Sequence, residues 1–338
     1  MGKVAEKILP ISNEQWNMIN PFNKKITDEY LKNSPHLSPE SLKQYRSALG
    51  IFFWWIYENA ENKSIVDTKS KDYLRYQNYL INRDLSPNAI KLKRSVVSTL
   101  NQYIETYYED EYPSFRNFIN KNIAAPPPSF VHEKQPMNDI EWSKLIKELE
   151  RMDEWQKIAY LMFSYSSGCR RSEAVQLEKN VVNSQLIIKE IIRKNKQNED
   201  ETITAKYYVT HDIRCKGRGK TGKVRKLQFD ENAMKAIESW LSIRGDDDCP
   251  YVFVNKTKKG TNQLSVSSLN NWCSGLFSNI VGRRIHPHQI REKKATDLTT
   301  IEGKDIRVAQ RLLGHNNSST TEIYVIRDDS DDLAEAFI

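Results

Sequence analysis

Only four cysteines occur in 338 residues, at positions 169, 215, 249 and 273, and no two of them form a CxxC pair. That spacing speaks against a zinc ribbon or a disulfide framework and fits a reducing compartment. Long apolar runs are missing too: stretches such as Ile51–Ile56 fall far short of a membrane span, and no signal-peptide pattern opens the chain. A soluble, cytoplasmic protein with no membrane partner is expected. No acidic or thiol ligand stands near His286 and His288 in the sequence, so neither a metal nor any other cofactor is expected.

What the chain does carry is positive charge, 51 Lys and Arg against 44 Asp and Glu, a formal +7. Residues 327–338 hold one arginine against five acids, a net −4 that leaves +11 on the rest. A polyanionic partner follows naturally, although moderate basicity also serves solubility alone. The length suits about two domains.

The first half reads as helices. Residues 1–22 are weakly periodic, with room for one short helix. Ser38 and Pro39 form a helix start, and Leu42, Tyr45, Leu49, Phe52, Phe53 and Ile56 follow on one face. Ser86 and Pro87 open another, with Ile90, Val97, Leu100 and Ile104 as its stripe; residues 71–81 supply a third between them. Lys43, Arg46, Lys91, Lys93 and Arg94 on these helices can grip phosphates or simply face solvent. Residues 124–128 read Ala-Ala-Pro-Pro-Pro, which cannot hold a helix and is read as a linker or a surface loop.

Beyond it, Asn138 caps helices expected near 139–151 and 153–166, which end at the Gly168 turn. β-branched and aromatic residues at 186–192 and 207–213 predict a small antiparallel sheet, with residues 194–204 as a protruding loop. The hairpin that follows is dense in cations, with Arg214, Lys216, Arg218, Lys220, Lys223, Arg225 and Lys226 around Gly217, Gly219 and Gly222. Such a ribbon suits a DNA groove. Helical periodicity returns from Glu231, and Ser267 is expected to start a further helix.

Two clusters carry chemistry. Gly168-Cys169-Arg170-Arg171-Ser172-Glu173 lies where one helix ends and another begins. Downstream, His288 and Arg291 share a helical face; Asp305 can cap a helix bearing Ile306, Ala309, Leu312 and Leu313, and Gly314 stops it ahead of His315. Ser319 and Glu322 fit a capping box for a helix carrying Tyr324. Singly, His315 reads as a loop residue and Tyr324 as a surface tyrosine.

Taken together, GxRxSE, HxxR, LGH and a tyrosine nine residues on resemble the tyrosine recombinase (phage integrase) family, Xer-like enzymes included. The match is close over the C-terminal half and one of pattern alone before it. The resemblance implies a mainly α fold with a small antiparallel β-sheet: a helical core-binding domain at 1–120, a Pro-rich linker at 121–136, and an α+β catalytic domain at 137–338 with a tail at 327–338. It implies a site-specific DNA recombinase that cleaves and rejoins strands through a 3′-phosphotyrosyl intermediate, without metal or ATP. Tyr324 is then the nucleophile, Arg170 and Arg291 clamp the phosphate, and His288 and His315 donate hydrogen bonds to it. Lys216 is the general acid, with Lys220 and Lys223 as nearby alternatives, and Glu173 orients Arg170. The partner is double-stranded DNA with paired recombination sites, bound by a homotetramer whose free form is a monomer, in the nucleoid region. An arm-binding domain is not expected, since only about 22 residues precede the first recognisable helices. Glu292 and Lys293 depart from the family's usual His-Thr pair, which bears on local packing. A type IB topoisomerase and an inactive DNA-binding regulator are the competing readings. The tail's Leu333, Ala334, Phe337 and Ile338, at helical spacing, pack either on their own domain or on a neighbour.

Overall fold

The computed structural model describes residues 8–119, 123–126, 135–194, 200–217, 219, 222–258 and 260–314. It is mainly helical with small antiparallel sheets, as expected, and it divides into two compact units. One comprises residues 1–132 with 217–222, the other residues 133–216 with 223–338.

The first unit is all helical: α1 (Asn13–Met18), α2 (Pro21–Lys32), α3 (Pro39–Asn59), α4 (Ser70–Asn82) and α5 (Pro87–Tyr107). Ser38 and Ser86 each accept a hydrogen bond from a backbone N–H three residues on, and a proline fills the next position, so α3 and α5 start where the sequence indicates. The predicted stripes meet in one core: Leu49, Phe52, Phe53 and Ile56 of α3 pack with Tyr73, Tyr76 and Leu80 of α4 and Ile90, Val97, Leu100 and Ile104 of α5. Leu42 and Tyr45, on the same stripe, stay half-buried near the helix start. Helix α2 is an addition to the sequence reading. Its signal was local, an Asn20 cap followed by Pro21, with Ile26 and Tyr30 one turn apart and buried. Ile123, inside the segment read as a linker, is buried with this core, and the Ala124 carbonyl accepts a hydrogen bond from Gln77.

In the second unit, α6 (Asp139–Arg151) starts at a capping box of Asn138 and Glu141, and α7 (Trp155–Ser167) runs through the centre. Ile158, Ala159, Tyr160, Leu161 and Phe163 of α7 are all buried, which marks a helix surrounded by its own domain. After α8 (Arg171–Ala174), β1 (Ile187–Lys194) and β2 (Asp200–Val209) pair antiparallel, with Ile187 opposite Tyr207. Residues 200–204, expected in a protruding loop, therefore belong to a strand: paired backbone satisfies its hydrogen bonds and overrides a polar composition. The short strands β3 (Ile213–Cys215) and β4 (Lys223–Arg225) form the cationic hairpin, and β5 (Gln228–Phe229) joins β2.

Helix α9 (Glu231–Arg244) matches the returning periodicity, but a further hairpin, β6 (Val254–Thr257) and β7 (Gly260–Gln263), interrupts the helical region expected after it. The Tyr251–Val254 run, rich in aromatic and β-branched residues, carried that signal. Helix α10 (Val266–Trp272) is capped by Ser265 rather than Ser267. It leads through a π-helical turn into α11 (Ser278–Val281), and α12 (Pro287–Thr296) leads through another into α13 (Ile306–Leu313). Ile213, Phe229, Ile237, Phe253, Leu269 and Ile290 close the core around α7.

Candidate active site

The site is built where three chain segments end. Gly168 terminates α7 with φ +58°, and a Cβ on it would stand 2.8 Å from Leu313 Cδ2, so the turn abuts the last turn of α13 as closely as a residue without a side chain permits. Arg170 leaves this turn. Its Nη1 donates to Glu173 Oε1 at 2.9 Å, and its backbone N–H donates to Glu173 Oε2 at 3.0 Å. That second carboxylate oxygen also accepts from Arg225 Nη2 at 2.9 Å.

Glu173 is thus a fully buried carboxylate between two guanidinium groups. Burial alone pushes its pKa up, but Arg225 foremost, with Arg170, outweighs that and holds it below the ordinary value. Without such partners, burying the charge would cost several kcal/mol.

Helix α12 contributes His288 and Arg291. Pro287 opens it, and the two residues lie three apart, as the shared-face reading requires, yet at the edge of that face: His288 is exposed and Arg291 buried. Nη1 of Arg291 donates to the Gly168 carbonyl, and Nη2 donates to the Leu313 carbonyl at 2.6 Å. One side chain therefore braces the Gly168 turn against the end of α13. That helix starts where expected, with Asp305 accepting from the Arg307 N–H at 2.7 Å, and stops at Gly314 with φ +64°.

Arg170, Glu173 and Arg291 are thus gathered around Gly168 and Leu313, and Arg170 and His288 line one cleft of about 80 Å³ with Cys169, Arg171, Ser172 and Pro287. A neighbouring cleft of about 330 Å³ shares Arg171, Pro287 and His288 with it and adds Arg284 and His286; Arg284 is a cation that the sequence reading left out, and the adjacent pair Arg283-Arg284 was the available signal. Lys216 is exposed and directly follows β3, with Lys223 opposite Cys215 in the hairpin register. His315 and Tyr324 lie outside the described residues, as do Arg218, Lys220 and the tail.

Among the residues expected to grip DNA, Lys43, Lys91, Arg214 and Lys223 are exposed. Arg46 pairs with Asp28 at 2.6 Å and stands over the Trp16 ring, while Arg94 donates to Gln77 at 3.2 Å. Arg225 is placed differently from its expected role. It sits opposite Ile213 in the register, and with Ile213 and Cys215 it shares the inward face of the hairpin. Glu292 and Lys293 are buried: Lys293 pairs with Asp297 at 3.0 Å and with Asp139, and the Tyr165 hydroxyl donates to Asp297 at 2.7 Å. The departure from the His-Thr pair is therefore used to fasten α12 to α6 and α7.

Comparison with known proteins follows the same outline. The SPbeta prophage-derived recombinase-like protein YomM of Bacillus subtilis (strain 168) is 26% identical over 339 residues, covering 99% of this chain and 96% of that protein. Tyrosine recombinase XerC of Oceanobacillus iheyensis is 25% identical over 320 residues, 92% of each chain. Among solved structures, XerH site-specific recombinase bound to palindromic difH substrate superposes with a TM-score of 0.62 at 20% identity, covering 88% of this chain and 79% of that one. A lambda integrase dimer bound to a core site gives 0.56 at 16% identity, over 88% of this chain and 96% of that one. These likenesses show the fold. The family model of the phage integrase family matches residues 135–331, more than half of the sequence and the whole of the described site, and the chain belongs to that family.

Proposed function

We propose that this protein is a site-specific DNA recombinase that breaks and rejoins strands through a 3′-phosphotyrosyl intermediate. The observation that supports this most is the meeting of Arg170, Glu173, His288 and Arg291 at the Gly168 turn and the end of α13, in a chain of the phage integrase family. Phosphoryl transfer needs positive charge around the phosphate oxygens, a nucleophile in line, and a proton for the leaving oxygen. Arg170, whose guanidinium Glu173 holds in orientation, serves the non-bridging oxygens, and Arg291, braced on the Gly168 and Leu313 carbonyls, adds positive charge beside them.

The Tyr324 phenol, with an unperturbed pKa of about 10, attacks phosphorus as phenolate, favoured by the same guanidinium charge. The P–O5′ bond breaks, the 3′-phosphate becomes esterified to the tyrosine, and Lys216 gives its proton to the departing 5′-oxygen. Attack by a 5′-hydroxyl of the paired site reverses these steps and exchanges strands. His288 and His315 donate hydrogen bonds to the phosphate. The substrate is double-stranded DNA with paired sites, held by four protomers that are separate in free solution. Lys43, Arg46, Lys91, Arg94, Arg214, Arg218, Lys220 and Lys223 contribute cations to the backbone grip.

The test is incubation with nicked suicide duplexes carrying candidate sites and, in parallel, with a supercoiled plasmid. A covalent protein–DNA adduct followed by exchanged strands is expected. DNA binding with no adduct would leave a regulator, and relaxation of supercoils without exchange would leave a topoisomerase.

A further inference from the structure

Arg225 stands on the hairpin that carries Lys216, yet its guanidinium contacts all three segments of the site. Nη2 donates to Glu173 Oε2 at 2.9 Å, Nη1 donates to the Leu312 carbonyl at 2.9 Å, and Nε donates to Cys215 Sγ at 3.3 Å. The group lies so close over Gly314 that a Cβ there would stand 3.0 Å from Cζ. Its neighbours along the chain define what it joins. Cys215 immediately precedes Lys216, Glu173 holds Arg170, and Gly314 immediately precedes His315. Its side chain is about one-fifth exposed and faces inward with Ile213 and Cys215, unlike Arg214 on the outer face.

We propose that Arg225 is a positioning residue that registers the Lys216 hairpin on the Arg170–Glu173 pair and on the end of α13. The proposal rests on the recombinase reading and on Lys216 as proton donor. One consequence follows from the geometry. A lysine at 225 has one nitrogen and cannot reach Glu173, Leu312 and Cys215 together, so charge alone does not replace the fork.

The experiment compares wild type, Arg225→Gln, Arg225→Lys and Lys216→Ala on two suicide duplexes, one with an ordinary scissile phosphodiester and one with a 5′-bridging sulfur. A thiolate leaving group needs no proton, so a misplaced acid is felt on the oxygen substrate and much less on sulfur. Cleavage by both Arg225 variants is expected to fall by about tenfold or more on the oxygen substrate. On the sulfur substrate much of that loss should be recovered, in the direction shown by Lys216→Ala. Half-site affinity is expected to stay within about twofold of wild type, since no phosphate contact is removed. Arg225→Lys keeps the charge and carries the comparison if Arg225→Gln does not fold, as judged by circular dichroism. Equal losses on both substrates, or weakened DNA binding with normal cleavage at saturating DNA, would overturn the assignment while leaving the recombinase reading intact. A wild-type protein inert on both substrates would instead overturn the recombinase reading and the proposal with it.

Discussion

Under the proposed mechanism, removing one oxygen at Tyr324 separates chemistry from binding. Tyr324→Phe is expected to abolish covalent capture on suicide duplexes while leaving half-site affinity within about twofold in a gel-shift titration, because only the nucleophile is lost. A retained adduct would move the nucleophile elsewhere. Arg170→Lys keeps the charge but loses the planar guanidinium, of which Nη1 is held by Glu173 and the rest is proposed to serve the phosphate, and cleavage at saturating DNA should drop by about 100-fold. Glu173 also supplies a pH signature. Its folded pKa lies below the ordinary 4.5, so the unfolded chain binds the proton first on acidification. The stabilisation is complete above that value and is lost as pH falls through the folded value. Thermal melts of wild type and Glu173→Gln should accordingly differ most near neutral pH and draw together as the pH falls below 4.5 and through the folded value; a constant gap would mean the carboxylate is not held by its two arginines.

Among elements, the turn between α7 and α8 and the end of α13 depend on each other. Gly168→Ala places a Cβ into Leu313 and a non-glycine residue at φ +58°, at a cost of about 1–2 kcal/mol from the backbone alone. The expected result in denaturant titration is a lower midpoint with an unchanged slope, accompanied by slower cleavage because Arg170 follows directly. Both helix-end glycines and the buried Arg291 brace act between segments remote in sequence, which is why spacing predicted the turns and not their contact. The same applies to Arg225. A run of seven cations reads as one DNA-facing ribbon, but the two-residue alternation of the hairpin turns alternate side chains inward. For Arg225, only the pairing register, which sets it opposite Ile213, decides that it faces inward.

For the whole molecule, the proposed assembly of four protomers on DNA can be tested at the acidic-apolar segment after Tyr324. Leu333 and Phe337 contribute about 1.5–3 kcal/mol each at most if buried on a neighbour, enough to bias a DNA-bound assembly and too little to hold one in free solution. Sedimentation is therefore expected to give a monomer near 39.5 kDa without DNA. Deleting residues 331–338 should preserve half-site binding yet reduce cooperative occupancy of a full site; unchanged cooperativity in gel-shift titration would place the segment on its own domain.

Helix starts at Ser38, Ser86, Asn138 and Asp305, the stripes that follow them, and the stops at Gly168 and Gly314 were determined by the sequence alone, because caps and apolar periodicity act within a few residues. The motifs GxRxSE, HxxR and LGH were legible for the same reason. Tertiary structure alone decided that Glu173 is shared by Arg170 and Arg225, that Arg291 spans Gly168 and Leu313, and that Lys293 serves packing. Each of those outcomes depends on which segments the core brings side by side. A buried charge must then be matched by whatever donor or acceptor stands opposite, and linear spacing does not encode that neighbour.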